Sequence, residues 1–248
     1  MFFHEKTYDI DELVRHNMHI HSTPFSGCAK PEMTVENIVR EAKEAGLSLI
    51  AITNHDGASK KNELANERKI ILDEIGEEND IKVLVGGELS CTGIGKFLND
   101  EECDLQMDYK LYTLNHFHVS CWDQPEDKSP RGYAVQMLKM AESVIEMRKA
   151  DCFAHPFMAG YIKCFEDKTL VTNEYTDNEL GDIMEKANRK EIAWELNTSA
   201  ILGNPEFYHR YFQIGKEVGC VFNVGTDAHK LCNVNSRQFA EELKKILY

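Results

Sequence analysis

Residues 17–22, Asn17-Met18-His19-Ile20-His21-Ser22, close a short apolar run with two histidines separated by one residue. Side chains two positions apart on a strand share a face. A strand over residues 17–21 would therefore present both imidazoles to one side, where they can share a metal ion. In a chain with ten histidines such a pair also arises by chance, so its meaning depends on what lies at the ends of the other strands.

Working outward, further β-prone runs occur at residues 47–53, 81–86, 111–121, 152–155, 192–197 and 220–225. Helical periodicity between them predicts helices at 35–45, 60–77, 132–148, 177–189 and 206–218, with a last one at 236–247. Strand followed by helix, repeated, is the pattern of a parallel α/β sheet. Seven such strands favour a closed or nearly closed barrel over an open doubly wound sheet. No G-x-G-x-x-G follows the first strand, which removes the main reason to expect a dinucleotide-binding fold. The chain shows no internal repeat and no linker-like tract, so residues 1–248 read as one domain. Residues 92–108 and 157–176 break the alternation just after strand ends, and in a barrel they would be loops over the active face.

Metal-ligand residue types recur at the same end of these strands. His55 follows the second, Glu88 the third, His118 lies in the fourth, His155 ends the fifth, and Asp227 and His229 follow the seventh. In a parallel barrel all carboxyl ends of strands open on one face, so these residues converge there. Imidazoles with a few carboxylates suit Zn, Mn or Fe, and about eight candidate ligands leave room for two or three divalent ions. Glu88 is the natural bridge, because a carboxylate can offer one oxygen to each of two cations. Such a pair activates water and clamps the oxygens of a phosphoryl group.

Composition bounds the remaining choices. The 248 residues carry 42% hydrophobic and 28% charged side chains, an ordinary globular mixture. A formal charge of -14 disfavours generic nucleic-acid binding. The N-terminal stretch lacks the apolar core of a secretory signal, and no run approaches the roughly 18 apolar residues of a membrane span. The eight cysteines form no C-x-x-C, so reduced thiols are expected, as is a cytoplasmic location. No G-x-S-x-G, Walker-type loop or H-E-x-x-H helix offers another chemistry. Cys28 lies near the histidine pair, and a packing role is the expectation for it.

The set His19-Ile20-His21-Ser22, Ile52-Thr53-Asn54-His55-Asp56, Gly87-Glu88-Leu89-Ser90, Phe117-His118-Val119, Ala154-His155-Pro156 and Gly225-Thr226-Asp227-Ala228-His229 resembles the PHP (polymerase and histidinol phosphatase) superfamily. The motifs stand in the family's order and cover nearly the whole chain. The resemblance implies a distorted (β/α)7 TIM-like barrel, a trinuclear metal centre and phosphoesterase activity. It implies one ion on His19, His21, Glu88 and Asp227, a second on Glu88, His118 and His155, and a third on His55 and His229. The family's remaining ligand for the third ion, an Asp or His, falls in Ser26-Gly27-Cys28, where only Cys28 offers a strong donor. Asn17 and Asn54 stand where the family often has Asp, which implies tuning around the metals without their loss.

Glu88, Asp227 and His229 are the expected catalytic groups. His116, two residues before His118, is an alternative ligand or a substrate contact. Glu195 and Asn197 share a face of the sixth strand, and Asn197 is a candidate hydrogen-bond donor near the metals. Lys163, Arg131, Lys230 and Arg237 are candidate partners for a substrate phosphate. The expected reaction is metal-dependent hydrolysis of a phosphate monoester on a small phosphorylated metabolite. The alternatives are a phosphodiesterase or exonuclease acting on short oligonucleotides, an amidohydrolase-like metal hydrolase, and a regulatory module that binds metal without catalysis.

Overall fold

The structure, a computed structural model, describes residues 2–55, 63–75, 80–100, 106–148 and 150–248. Asp56, Cys103 and both ends of the helix expected over 60–77 lie outside the described residues.

The strands are β1 (His16–Ile20), β2 (Leu49–His55), β3 (Lys82–Gly93), β4 (Lys96–Phe97), β5 (Tyr109–Thr113), β6 (Cys152–Phe153), β7 (Ala193–Asn197) and β8 (Phe222–Gly225). All but β4 run parallel in the order β1-β2-β3-β5-β6-β7-β8, while β4 folds back antiparallel on β3. A single parallel bridge, Ile20 to Ala228, joins the first strand to the chain just beyond the last. The result is a nearly closed seven-stranded barrel wrapped by helices, a distorted (β/α)7 barrel.

The helices are α1 (Ile10–Leu13), α2 (Val35–Glu44), α3 (Glu63–Ile75), α4 (Pro130–Met147), α5 (Thr169–Thr172), α6 (Asp177–Asn188), α7 (Thr198–Gly203), α8 (Pro205–Glu217) and α9 (Ala240–Leu247). Their starts are written locally. Thr34 and Ser129 cap α2 and α4, and Thr176 with Glu179 closes a capping box on α6; such caps stabilise a helix by about 1 kcal/mol each.

Strand alternation separates the barrel wall from its interior. Ile50 and Ile52, Tyr112, Phe153, Trp194 and Leu196, and Phe222 and Val224 belong to the two apolar clusters that contain the buried helix faces. Ala51, Leu84, Tyr109, Leu111, Cys152, Ala193 and Val221 form a separate, inner cluster. In β1 the alternation slips: Met18 is in the inner cluster, whereas Ile20 is in an outer one. A register shift against β2 between Asn17 and Ile20 accounts for this, and it aims His19 and His21 together into the barrel. Bulges beside functional residues commonly redirect side chains in this way.

Two places differ from the sequence reading: β3 runs past residue 86 to Gly93 and pairs with β4, which lies inside the loop expected over 92–108, and the fourth strand is cut short. The run expected over 111–121 pairs only from Tyr109 to Thr113. Asn115 turns the chain away: its Nδ2 donates to the carbonyls of His155 and Met158, and its Oδ1 accepts from the Thr113 hydroxyl. His116 and His118 therefore do not share a strand face.

Candidate metal centre

The carboxyl ends of the strands hold one buried polar cluster centred on Glu88, which is 1% exposed. Its two oxygens face different imidazoles. Oε1 lies 2.9 Å from His155 Nε2 and 3.6 Å from His116 Nε2. Oε2 lies 2.8 Å from His55 Nδ1 and 3.6 Å from both His19 Nε2 and His21 Nε2. Close by, Asp227 Oδ1 is 3.0 Å from His21 Nε2 and 3.3 Å from His19 Nε2, and those two nitrogens are 3.1 Å apart.

These spacings fit divalent cations. Metal–nitrogen and metal–oxygen bonds of about 2.0–2.2 Å set ligand atoms roughly 3.0–3.5 Å apart around one ion. Glu88 Oε2 is buried and makes no hydrogen bond despite its close approach to His55, a contact suited to a shared cation. Among the described residues three sets of donor atoms lie close enough to hold an ion: His19, His21 and Asp227; His19, Glu88 and His155; and His21, Cys28, His55 and His229.

Electrostatics points the same way. Burial works against the charged forms of Glu88 and Asp227, yet His55 holds Glu88 well below the usual carboxylate range and His19 does the same for Asp227. Burial would lower the pKa of His19, but Glu195 and Asp227 hold it well above its usual value. Against the same burial, Glu88 and then Cys28 raise His55 to about 10. Burial pushes His21 down to about 3 against the pull of Asp227, and His116 to about 3 against that of Glu88. Burial would raise the Cys28 thiol, but hydrogen bonds from His229 and His55 bring it down to about 6. The cluster thus favours ionised carboxylates and a readily ionised thiol, while His19 and His55 would give up a proton on binding a cation.

A second layer fixes these groups. Glu195 Oε1 accepts from His19 Nδ1 at 2.8 Å, and its Oε2 accepts the backbone N–H of His155. A carboxylate behind a histidine orients the ring and raises its basicity. Gly225 makes this possible, since a Cβ there would lie 1.9 Å from Glu195 Oε1. Asn54 Oδ1 accepts from the Ser22 N–H and Ser26 hydroxyl, while its Nδ2 donates to Ser22 Oγ. Asn17 Nδ2 donates to Thr226 Oγ1 and the Val234 carbonyl. Both asparagines donate hydrogen bonds that an aspartate would lack. His155 and Asp227 take left-handed backbone angles, φ 27° and 51°, strain of a kind that collects at functional sites.

The structure brings together His19, His21, His55, Glu88, His155, Asp227 and His229, and adds His116 beside Glu88. His118 is exposed and stands outside the three donor sets; its ring lies 4.6 Å from Tyr161. Burial and then the charge of exposed Lys163 lower the His118 pKa, and exposed Lys230 directly follows His229. Asn197 caps α7 through Ala200 N and reaches Glu195 with its amide.

Two candidate phosphate partners are committed elsewhere. Arg131 pairs with Glu179 and donates to the Glu174 carbonyl. Arg237 donates to the Ala45 carbonyl, next to Ser236, which bonds the Val14 and His16 carbonyls at the start of β1. That is the barrel end opposite the cluster.

Tyr161 was not singled out from the sequence. Its ring contacts those of His116 and His155 at 4.8 and 6.1 Å, and the one signal for it was its place in the 157–176 loop expected over the active face. Glu195 carried a signal, its alternation with Asn197 on one strand, but its link to His19 spans 176 positions.

No protein-family model and no curated protein matches the sequence. Solved structures do match. The histidinol phosphate phosphatase of Lactococcus lactis subsp. lactis Il1403, solved with zinc, L-histidinol and phosphate, superposes with a TM-score of 0.60 at 20% identity, over 93% of each chain. The A. niger ochratoxinase is more distant, with a TM-score of 0.42 at 13% identity over 86% of this chain and 62% of that one. The PHP resemblance carried by the motifs thus extends to architecture: the chain folds as the same kind of distorted (β/α)7 barrel as the Lactococcus phosphatase, with a His, Glu and Asp cluster at its mouth.

Proposed function

We propose that this protein is a metal-dependent phosphoesterase that hydrolyses a phosphate monoester of a small metabolite. The observation that carries the reading is Glu88, whose two oxygens face separate groups of imidazoles in one buried cluster. The phosphatase of like fold was solved with zinc, histidinol and phosphate, which makes an amino-alcohol phosphate a sensible first substrate.

Divalent ions bound here would lower the pKa of water and neutralise phosphoryl oxygens during in-line displacement. Glu88 holds the donor sets at a fixed spacing. His19 and His155 are oriented from behind by Glu195. Asp227 is the cluster carboxylate that reaches solvent, at 19% exposure against 1% for Glu88. In this reading it would accept a hydrogen bond from the attacking water, and its depressed pKa suits orienting that water more than keeping its proton. His229 flanks it at 28% exposure. Lys163 and Lys230 are the exposed cations available to a phosphate dianion.

The test is phosphate release from a panel of phosphorylated metabolites by purified protein loaded with Zn or Mn. Release is expected, and Glu88→Gln should lower it at least ~100-fold while reducing bound metal. No release across the panel, with metal confirmed bound, overturns the reading.

A further inference from the structure

The segment between β1 and α2 is pinned on both sides of Cys28. Before it, the Ser26 hydroxyl sits 3.2 Å from His21 Nδ1, donates to Asn54 Oδ1 at 3.0 Å and accepts the His55 N–H at 3.3 Å. After it, the Lys30 N–H donates to the His229 carbonyl at 2.9 Å. The chain has little freedom in between, and Cys28 Sγ falls within 4.8 Å of donor atoms on His21, His55 and His229.

Three further observations assign a ligand role to that thiol. The rings of His55 and His229 each stack on His21, with centroids 4.3 Å apart in both pairs. Both rings are thereby held face to face with His21 and beside the thiol. His21 Nε2 already faces His19 and Asp227, which leaves Cys28, His55 and His229 for an ion at this corner. Finally, Glu88 Oε2, buried and without a hydrogen bond, lies 2.8 Å from His55 Nδ1.

We infer that Cys28 is a thiolate ligand of a metal ion held with His55 and His229 and linked through Glu88 to the rest of the centre. This rests on reading the cluster as a metal centre and not on which ester is cleaved. On binding, the thiol loses its proton to solvent and sulfur forms the bond to the cation. With Glu88 as the link the ion would have four protein ligands, and zinc can expand beyond four to take water or substrate. A thiolate is a soft donor, so this corner selects zinc or iron(II) over manganese or magnesium.

The test uses the full chain loaded with cobalt(II), whose thiolate bond gives an intense near-ultraviolet charge-transfer band distinct from the weak visible bands of nitrogen and oxygen ligation. The wild type is expected to show the band. Cys28→Ser should lose it and retain about one ion fewer per chain. Cys28→Asp should recover that ion without the band and bind manganese more tightly than the wild type. Cys121→Ser, a change at another exposed cysteine, should keep the band. Bound zinc should also slow alkylation of Cys28 at least ~10-fold, with chelator restoring the rate. A band that survives Cys28→Ser, or visible cobalt bands without charge transfer in the wild type, overturns the inference. Absence of cobalt binding overturns it together with the metal-centre reading. An intact band in a protein that releases no phosphate supports it and removes only the phosphoesterase reading.

Discussion

The two walls of the barrel hold their share of the centre by different means. On the β1–β3 side the donor groups sit on strands or directly after them, and β2 and β3 pair without a break from Leu49 with Lys82 to His55 with Glu88. On the β5–β7 side the ladders between β5, β6 and β7 are only two residue pairs long. His116 and His155 lie beyond those ladders, held by side chains: Asn115 bonds the His155 and Met158 carbonyls, and Glu195 takes the His155 N–H. A ladder places a ligand by period alone. A turn places it by contacts that arrive from elsewhere in the chain.

The sharpest way to break this comparison is at the paired histidines of the second wall. His116→Ala should weaken metal binding about 10–100-fold, whereas His118→Ala should leave it within about 3-fold. Metal titration of both variants checks this, and the reverse order would return His118 to the centre. Next in size, Asn115→Ala takes a donor from the part-buried Met158 carbonyl and leaves the buried His155 carbonyl only the 3.2 Å bond from the Met158 N–H, which should cost about 1–3 kcal/mol, with weaker metal binding as well. In the first wall Ile50→Val should cost about 1 kcal/mol and leave metal affinity unchanged. Denaturation and metal titration of the two variants test whether side chains do on one side what the ladder does on the other.

The smallest effect concerns Arg131. Its hydrogen bond to Glu179 holds that carboxyl at about 2, against an ordinary value of 4.5. The folded pKa is depressed, so the pair stabilises the protein above pH 4.5 and the contribution fades as pH falls towards 2. Both groups are partly exposed, so Arg131→Gln should cost less than about 1 kcal/mol at neutral pH, and the difference from the wild type should vanish near pH 2. Its KM should not change. A tenfold rise in KM would return Arg131 to the substrate site.

Much of the first wall was legible from the chain. The period-two spacing of His19 and His21, and the positions of His55 and Glu88 at the ends of apolar runs, depend on local pattern alone. The same pattern misled at residues 111–121, because a β-prone run does not reveal that Asn115 will find better partners across the barrel than along a ladder. Cys28 shows the limit from the other side. From its neighbourhood in the sequence it was a thiol expected to pack, the family resemblance alone marked it as the strong donor near a third ion, and it became a neighbour of three imidazoles only once Ser26 and Lys30 were pinned to β2 and to the segment after β8.

Sequence by itself determined the parallel α/β alternation, the helix starts and the kinds of ligand available, since those follow from short-range period, capping and side-chain chemistry. Tertiary structure alone decided that His116 approaches Glu88 while His118 meets Tyr161, that Glu195 stands behind His19, and that Arg131 and Arg237 are occupied by Glu179 and by the Ala45 carbonyl. The physical reason is that a side chain's partner is the best hydrogen-bonding or charged group within a few ångströms of it. Across a nearly closed barrel, that group comes from other segments of the chain, 48 positions away for Arg131 and Glu179 and 192 for Arg237 and Ala45.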